Sequence, residues 1–178
     1  MTNGKKILGE ERRNLLIDWL QTSDKPLTGN ELAKRTNVSR QVIVQDISIL
    51  KAKKHPILAT AQGYMYVKTE RSAKASRIIA CCHTPAETKE ELFLLVDHGV
   101  TVRQVMVEHA LYGELSASLM VSSRQDVEQF CAHLQSTKAA LLSELTNGVH
   151  LHEIEAQTEE QLDSAIAALD RRGFILND

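Results

Sequence analysis

The chain has 178 residues, 43% hydrophobic and 25% charged, with 3 cysteines and a formal net charge of −2. This balance excludes a disordered polymer, no apolar run approaches the roughly 20 residues of a membrane helix, and an odd cysteine set without paired spacing excludes a disulfide framework. The charge is uneven: residues 1–70 carry 12 Lys and Arg against 7 Asp and Glu, and the rest carry 9 against 16, the pattern of a basic nucleic-acid module on an acidic body.

Met1 to Lys6 lead into no signal-peptide core, so a cytoplasmic protein without membrane attachment is expected. Glu10 to Gln21 places Leu15, Leu16, Trp19 and Leu20 on one helical face. Thr22 to Pro26 breaks it. Thr28 caps a short second helix, with Glu31 placed for a capping box and Leu32 and Ala33 facing inward. Thr36-Asn37 is a turn in which Asn tolerates a left-handed conformation. Ser39 caps a longer helix whose buried stripe is Ile43, Ile47 and Leu50.

Helix, tight turn and helix with a polar start make a helix-turn-helix, whose second helix reads base edges in the major groove. The residues placed to do so are Ser39, Arg40, Gln41, Val44 and Gln45. Arg suits the guanine edge and Gln the adenine edge; Lys51, Lys53 and Lys54 offer phosphate contacts. Pro56 to Thr60 and Tyr64 to Val67 are strand-like and joined through Ala61-Gln62-Gly63. That hairpin is a wing, which adds Gln62 and Tyr64 to the DNA-facing set. The stretch Leu27–Leu50 with Gly63-Tyr64 resembles the winged helices of bacterial repressors.

The polar stretch Lys68 to Ser76 is the expected boundary, dividing a winged-helix domain, 1–70, from a second domain, 71–178. Beyond it the chain reads as a strand (Arg77 to Cys82), a helix (Pro85 to Asp97, capped by Thr84 and stopped at Gly99) and two strands (Val102 to Glu108, Glu114 to Val121). An amphipathic helix (Arg124 to Leu134) and a short helix (Leu141 to Leu145) follow. A strand (Val149 to Glu155), a helix capped by Thr158 and ending near Gly173, and a last edge strand (Phe174 to Leu176) complete the order. The fold class expected is α+β: a winged helix-turn-helix followed by an α/β sandwich with its helices on one face of the sheet.

In the strand Val149-His150-Leu151-His152, side chains i and i+2 share a face, so both imidazoles point the same way. Two such histidines bind a metal only with ligands from elsewhere. His83 ends the first strand of the domain, and the next helix carries Glu87 and Glu91 at i, i+4 on one face. One of these carboxylates with His83, His150 and His152 makes a set suited to nickel, zinc or iron(II), and spacing leaves Glu87 and Glu91 equivalent. Cys81 and Cys82 face opposite sides of their strand and read as core thiols.

His83-Thr84-Pro85, His109-Ala110-Leu111-Tyr112-Gly113-Glu114-Leu115 and Leu145-Thr146-Asn147-Gly148-Val149-His150-Leu151-His152 resemble the three-histidine domain of the NiaR family. These are niacin-responsive repressors of NAD-synthesis and nicotinate-uptake genes that join a winged helix to this domain, so the resemblance covers essentially the whole chain. It implies metal ligands at His83, Glu91, His150 and His152, with nickel or another divalent ion. It also implies a homodimer on operator DNA, nicotinic acid as corepressor, and His109 and Tyr112 as effector contacts. His109-Ala110 stands where the family pattern has His-Pro. The competing expectations are a metal-dependent hydrolase, which lacks a nucleophile elbow or phosphate loop here, and a metal sensor with no organic effector.

Overall fold

Short polar side chains at the helix starts organise the N-terminal unit. In the computed structural model, α1 (Gly9–Thr22) buries Leu16 and Leu20, with Leu15 and Trp19 half-buried beside them. The Thr28 hydroxyl accepts the Glu31 N–H and starts α2 (Gly29–Thr36). Glu31 sends its carboxylate to Arg35, 2.5 Å away, instead of back to the cap. Asn37 closes α2 at φ 52°. Ser39 caps α3 (Arg40–Ala52), and Ile43, Ile47 and Leu50 form its buried stripe.

β1 (Ile57–Thr60) and β2 (Gly63–Tyr66) pair antiparallel as the expected wing. Leu27 and Tyr64 exchange both backbone hydrogen bonds at 2.8 Å, which ties the wing to the start of α2. A feature the hydrophobic pattern hides joins α1 to α3: Asp46, 2% exposed, accepts from Arg12 Nε at 2.5 Å and from Arg13 Nη1 at 3.2 Å. A carboxylate this buried requires such partners.

The structure describes residues 8–67 and 74–177. They fall in two units, Met1–Glu70 and Arg71–Asp178. Most of the expected linker, residues 68–73, lies outside the described residues.

The second unit is built on four antiparallel strands in the order β3-β6-β4-β5: β3 (Ala75–Cys82), β4 (Thr101–His109), β5 (Gly113–Val121) and β6 (Val149–Ala156). Between β3 and β4 a 3-10 turn (Pro85–Glu87) runs into α4 (Thr88–Asp97), and α5 (Arg124–Thr137) follows β5. A 3-10 helix (Leu142–Thr146) precedes β6, and α6 (Glu159–Arg171) follows it. Leu92, Leu95, Val102, Ile154, Leu162 and Leu169 are all at most 1% exposed and form the core between sheet and helices. Phe93 is half-buried and lies under the guanidinium of Arg124. The expected last strand is a single bridge, Cys81 to Ile175, with the Leu176 N–H donating to the Ala80 carbonyl at 2.9 Å. The described residues are thus α+β: a helix-turn-helix unit, followed in the chain by a unit in which an antiparallel sheet is backed by helices.

Candidate metal centre

Alternation along β6 buries His150, His152, Ile154 and Ala156 and turns the intervening residues outward. The two imidazoles therefore share the helix-facing side of the sheet. β3 pairs with β6 so that Cys81 lies opposite His150, which brings the strand end at His83 beside them. α4 crosses above and lowers Glu91, 1% exposed, into the group. His83 Nε2 stands 2.8 Å from Glu91 Oε2, His150 Nε2 3.2 Å from Oε1, and His152 Nε2 3.4 Å from Oε2. Neighbouring rings meet edge-on, His83 with His150 at 86° and His150 with His152 at 82°. They converge instead of stacking.

The far side of each ring determines what the near side offers. His83 Nδ1 contacts the Thr84 carbonyl at 2.9 Å, His150 Nδ1 the Gly148 carbonyl at 2.8 Å, and His152 Nδ1 the Gln104 carbonyl at 3.2 Å. A carbonyl only accepts, so each Nδ1 carries the proton, and in the neutral ring each Nε2 presents a lone pair. Three lone pairs then face a carboxylate, itself an acceptor. His83 Nε2 is buried and makes no hydrogen bond despite its 2.8 Å separation. Such a group is stable only with positive charge in its midst: protons on the rings, or one cation bound by all four. The backbone-anchored Nδ1–H with a free Nε2 is the arrangement metal-ligating histidines use, and the donor set fits a divalent transition ion.

The electrostatics agree. Burial by itself lowers the His83 pKa, but the adjoining Glu91 carboxylate and the Thr84 carbonyl outweigh it, and the net shift is upward. Burial by itself raises the Glu91 pKa; the charge of His152 and contacts from His150, His152 and His83 reverse this and hold it well below the usual carboxylate range.

Spacing left Glu87 and Glu91 equivalent, and the structure separates them. Glu87 accepts from the Thr84 N–H at 2.9 Å and from its hydroxyl at 2.7 Å, closing the cap before α4. Glu90 is held by Arg172 at 2.5 and 2.7 Å. Gly148 supplies the close approach between β6 and His83: at φ +93° a Cβ there would stand 2.3 Å from the His83 carbonyl oxygen, so only glycine fits.

Three features escaped the sequence reading. Cys81, taken as a core thiol, has its sulfur together with a Glu91 oxygen and a His150 nitrogen, all within 4.8 Å of one another. Its position two residues before His83 on an alternating strand was the available signal. A small cavity of about 40 Å³ opens beside the histidines, walled by Leu92, Val105, Leu119, Phe130 and Leu142. Thr88 also lines it, and its buried hydroxyl makes no hydrogen bond. His109 and Tyr112 pair their rings at 5.1 Å at the β4–β5 hairpin, and neither lines this cavity. His98 Nδ1 contacts the Leu94 carbonyl at 2.7 Å.

In the N-terminal unit Ser39, Arg40, Gln41 and Gln45 are exposed along the first turns of α3, and Val44 is partly exposed among them. Lys51, Lys53 and Lys54 are exposed at its far end. Gln62 is half-buried, with its amide nitrogen buried and making no hydrogen bond, and Tyr64 packs on the hydrophobic core of the unit. The wing residues are thus less free than those of the helix.

The 3H domain family matches residues 76–178 and a helix-turn-helix family matches residues 12–65. The chain is 52% identical to the transcription repressor NadR of Bacillus subtilis (strain 168) over 180 residues, covering all of both chains. It is 38% identical to the probable transcription repressor NiaR of Thermotoga maritima over 173 residues, 97% of this chain and 98% of that one.

Proposed function

The chain belongs to the NadR and NiaR family of transcription repressors, a helix-turn-helix followed by a 3H domain, and on that premise we propose that it is a homodimeric, niacin-responsive repressor of genes for NAD synthesis and nicotinate uptake. It is a regulator and not an enzyme, as its relatives are. In this reading His83, Glu91, His150 and His152 hold a divalent transition metal, and nicotinic acid binds beside it as corepressor. The observation that carries the reading is the convergence of three Nε2 atoms on Glu91, each ring anchored through Nδ1 on a backbone carbonyl.

When bound, the metal supplies a Lewis-acid centre that can take a carboxylate or a ring nitrogen. The protein supplies the apolar wall of Val105, Leu119, Phe130 and Leu142 for the pyridine ring and the unbonded Thr88 hydroxyl for a carboxylate oxygen. About 40 Å³ is well below the roughly 150 Å³ of an apolar cavity that takes up benzene. A pyridine acid therefore enters only if a wall moves. α5 is the wall best able to move, since Val127 is its single buried residue among those described. An effector that binds the opened arrangement more tightly shifts the repressor toward it, and the coupling to DNA is reciprocal. His109 and Tyr112 have no part in this cavity.

Ser39, Arg40, Gln41, Val44 and Gln45 on α3 read the operator, with half-sites about 34–36 Å or a multiple apart for a two-fold dimer. Gel-shift titration of metal-loaded protein on the promoter of an NAD-synthesis gene tests the whole. Nicotinic acid is expected to tighten binding, and a chelator to remove the response. Unchanged operator affinity with and without nicotinic acid overturns the corepressor role; a response to metal alone identifies a metal sensor.

A further inference from the structure

We propose that Cys81 is a fifth protein ligand of the metal centre, adding a thiolate sulfur to the three imidazoles and one carboxylate. The inference rests on the metal reading above and goes beyond it in the donor set. β3 alternates, so Cys81 faces the helices and is fully buried while Cys82 is half-exposed on the other side. Its strand partner is His150, and in the antiparallel ladder directly opposed side chains lie close on the same face. The Cys81 sulfur, a Glu91 oxygen and a His150 nitrogen lie within 4.8 Å of one another. An ion bonded to nitrogen and oxygen at about 2.0–2.2 Å and to sulfur at about 2.3 Å requires ligand atoms gathered to nearly this degree.

The buried thiol stands beside the Glu91 carboxylate and the His150 ring. On metal binding the thiol releases its proton to solvent and the sulfur bonds the ion, which carries the compensating charge. No oxidant or reductant takes part. A sulfur in the set turns the site toward zinc, nickel, cobalt and iron(II) and away from magnesium, calcium and manganese, a selectivity that histidine and carboxylate alone impose less strongly.

Titration of the full chain with cobalt(II) under anaerobic conditions tests this. Visible ligand-field bands report the ion in its site, and a near-ultraviolet sulfur-to-cobalt charge-transfer band reports a thiolate ligand. Cys81→Ser is expected to abolish the charge-transfer band, keep the ligand-field bands and weaken cobalt binding about tenfold or more, the range seen when a supporting group of a metal site is lost. Cys82→Ser and Cys131→Ser are expected to keep both. Ligand-field bands without charge transfer in the wild type overturn the sulfur ligand and leave the histidine–carboxylate site standing. The absence of any ligand-field band overturns both. If Cys81→Ser does not fold, X-ray absorption on the zinc-loaded wild type decides: a sulfur scatterer at about 2.3 Å supports the proposal, and a shell of nitrogen and oxygen alone refutes it.

Discussion

His83 Nε2 and Glu91 Oε2 stand 2.8 Å apart, both essentially buried, and no hydrogen bond joins them. A ring nitrogen and a carboxylate oxygen held that close by separate elements, the residue after β3 and the first turn of α4, need a proton or a cation between them. Replacing Glu91 by Gln removes the charge and keeps the shape. We expect Glu91→Gln, His150→Ala and His152→Ala each to lower zinc or nickel affinity by at least the roughly 10–100-fold that loss of a supporting partner costs. A competition titration against a chromophoric chelator measures this, with circular dichroism verifying the fold. Full metal occupancy in the His150→Ala, His152→Ala double variant would falsify the centre.

Protons and metal compete for the same lone pairs, so metal affinity falls as the pH falls. The His83 pKa lies above its ordinary value of 6.5. In metal-free protein its contribution to stability is therefore complete below 6.5 and is lost as pH rises through the raised value. Glu91, held well below its ordinary range, contributes stability that is present above that range and is lost as pH falls through the lowered value. For the metal the sign is reversed. Affinity should begin to weaken above pH 6.5 on acidification, by about tenfold per pH unit for each proton displaced. Affinity that is flat across this interval would refute protonation of His83 in the metal-free state.

Gly148→Ala inserts a methyl group 2.3 Å from the His83 carbonyl oxygen in a left-handed conformation. His83 and the start of β6 must separate, and the His150 ring, anchored on the Gly148 carbonyl, moves with them. The expected cost is about 1–3 kcal/mol in stability together with loss of tight metal binding. Thermal unfolding with and without zinc checks both: the wild type should be stabilised by zinc and the variant much less.

In the N-terminal unit, Asp46→Ala leaves Arg12 without the carboxylate that it meets at 2.5 Å in a nearly buried position. Removing one partner of a buried ion pair costs about 3–5 kcal/mol. The unit is expected to melt earlier and operator binding to weaken, although Asp46 lies on the buried side of α3. Wild-type stability in this variant would show that the pair contributes nothing net.

Arg40→Ala and Gln41→Ala at the exposed start of α3 should relax sequence preference at individual operator positions by about 1–3 kcal/mol each. Lys53→Ala should weaken binding to all sequences alike and reduce the salt dependence by about one counterion. Binding assays on single-base operator variants at two salt concentrations separate the two effects. Equal losses on every sequence for Arg40→Ala would remove it from base recognition.

Most of the fold was legible because its signals are local. Thr28, Ser39 and Thr158 accept cap hydrogen bonds where they were expected. Asn37 takes the left-handed turn, and alternation in β6 buries both histidines. The Arg12–Asp46 pair was not legible, since a charged residue on a helix reads as solvated until the partner helix is placed. The edge strand at Ile175 was overread: an apolar triplet suggests a strand, but pairing extends to one bridge.

The sequence alone determined the chemical types at the centre, because alternation places His150 and His152 on one face whatever surrounds them. It also determined the helix-turn-helix, through capping and period. Spacing could not choose between Glu87 and Glu91; the family resemblance pointed to Glu91, and the tertiary structure sets Glu91 among the histidines. Their spacing is symmetric with respect to the histidines, but Glu87 closes the Thr84 cap while Glu91 descends onto the sheet. Only the structure brought Cys81 to Glu91 and kept His109 and Tyr112 off the cavity. Strand register and helix crossing set those distances, and neither is encoded in any short run of residues.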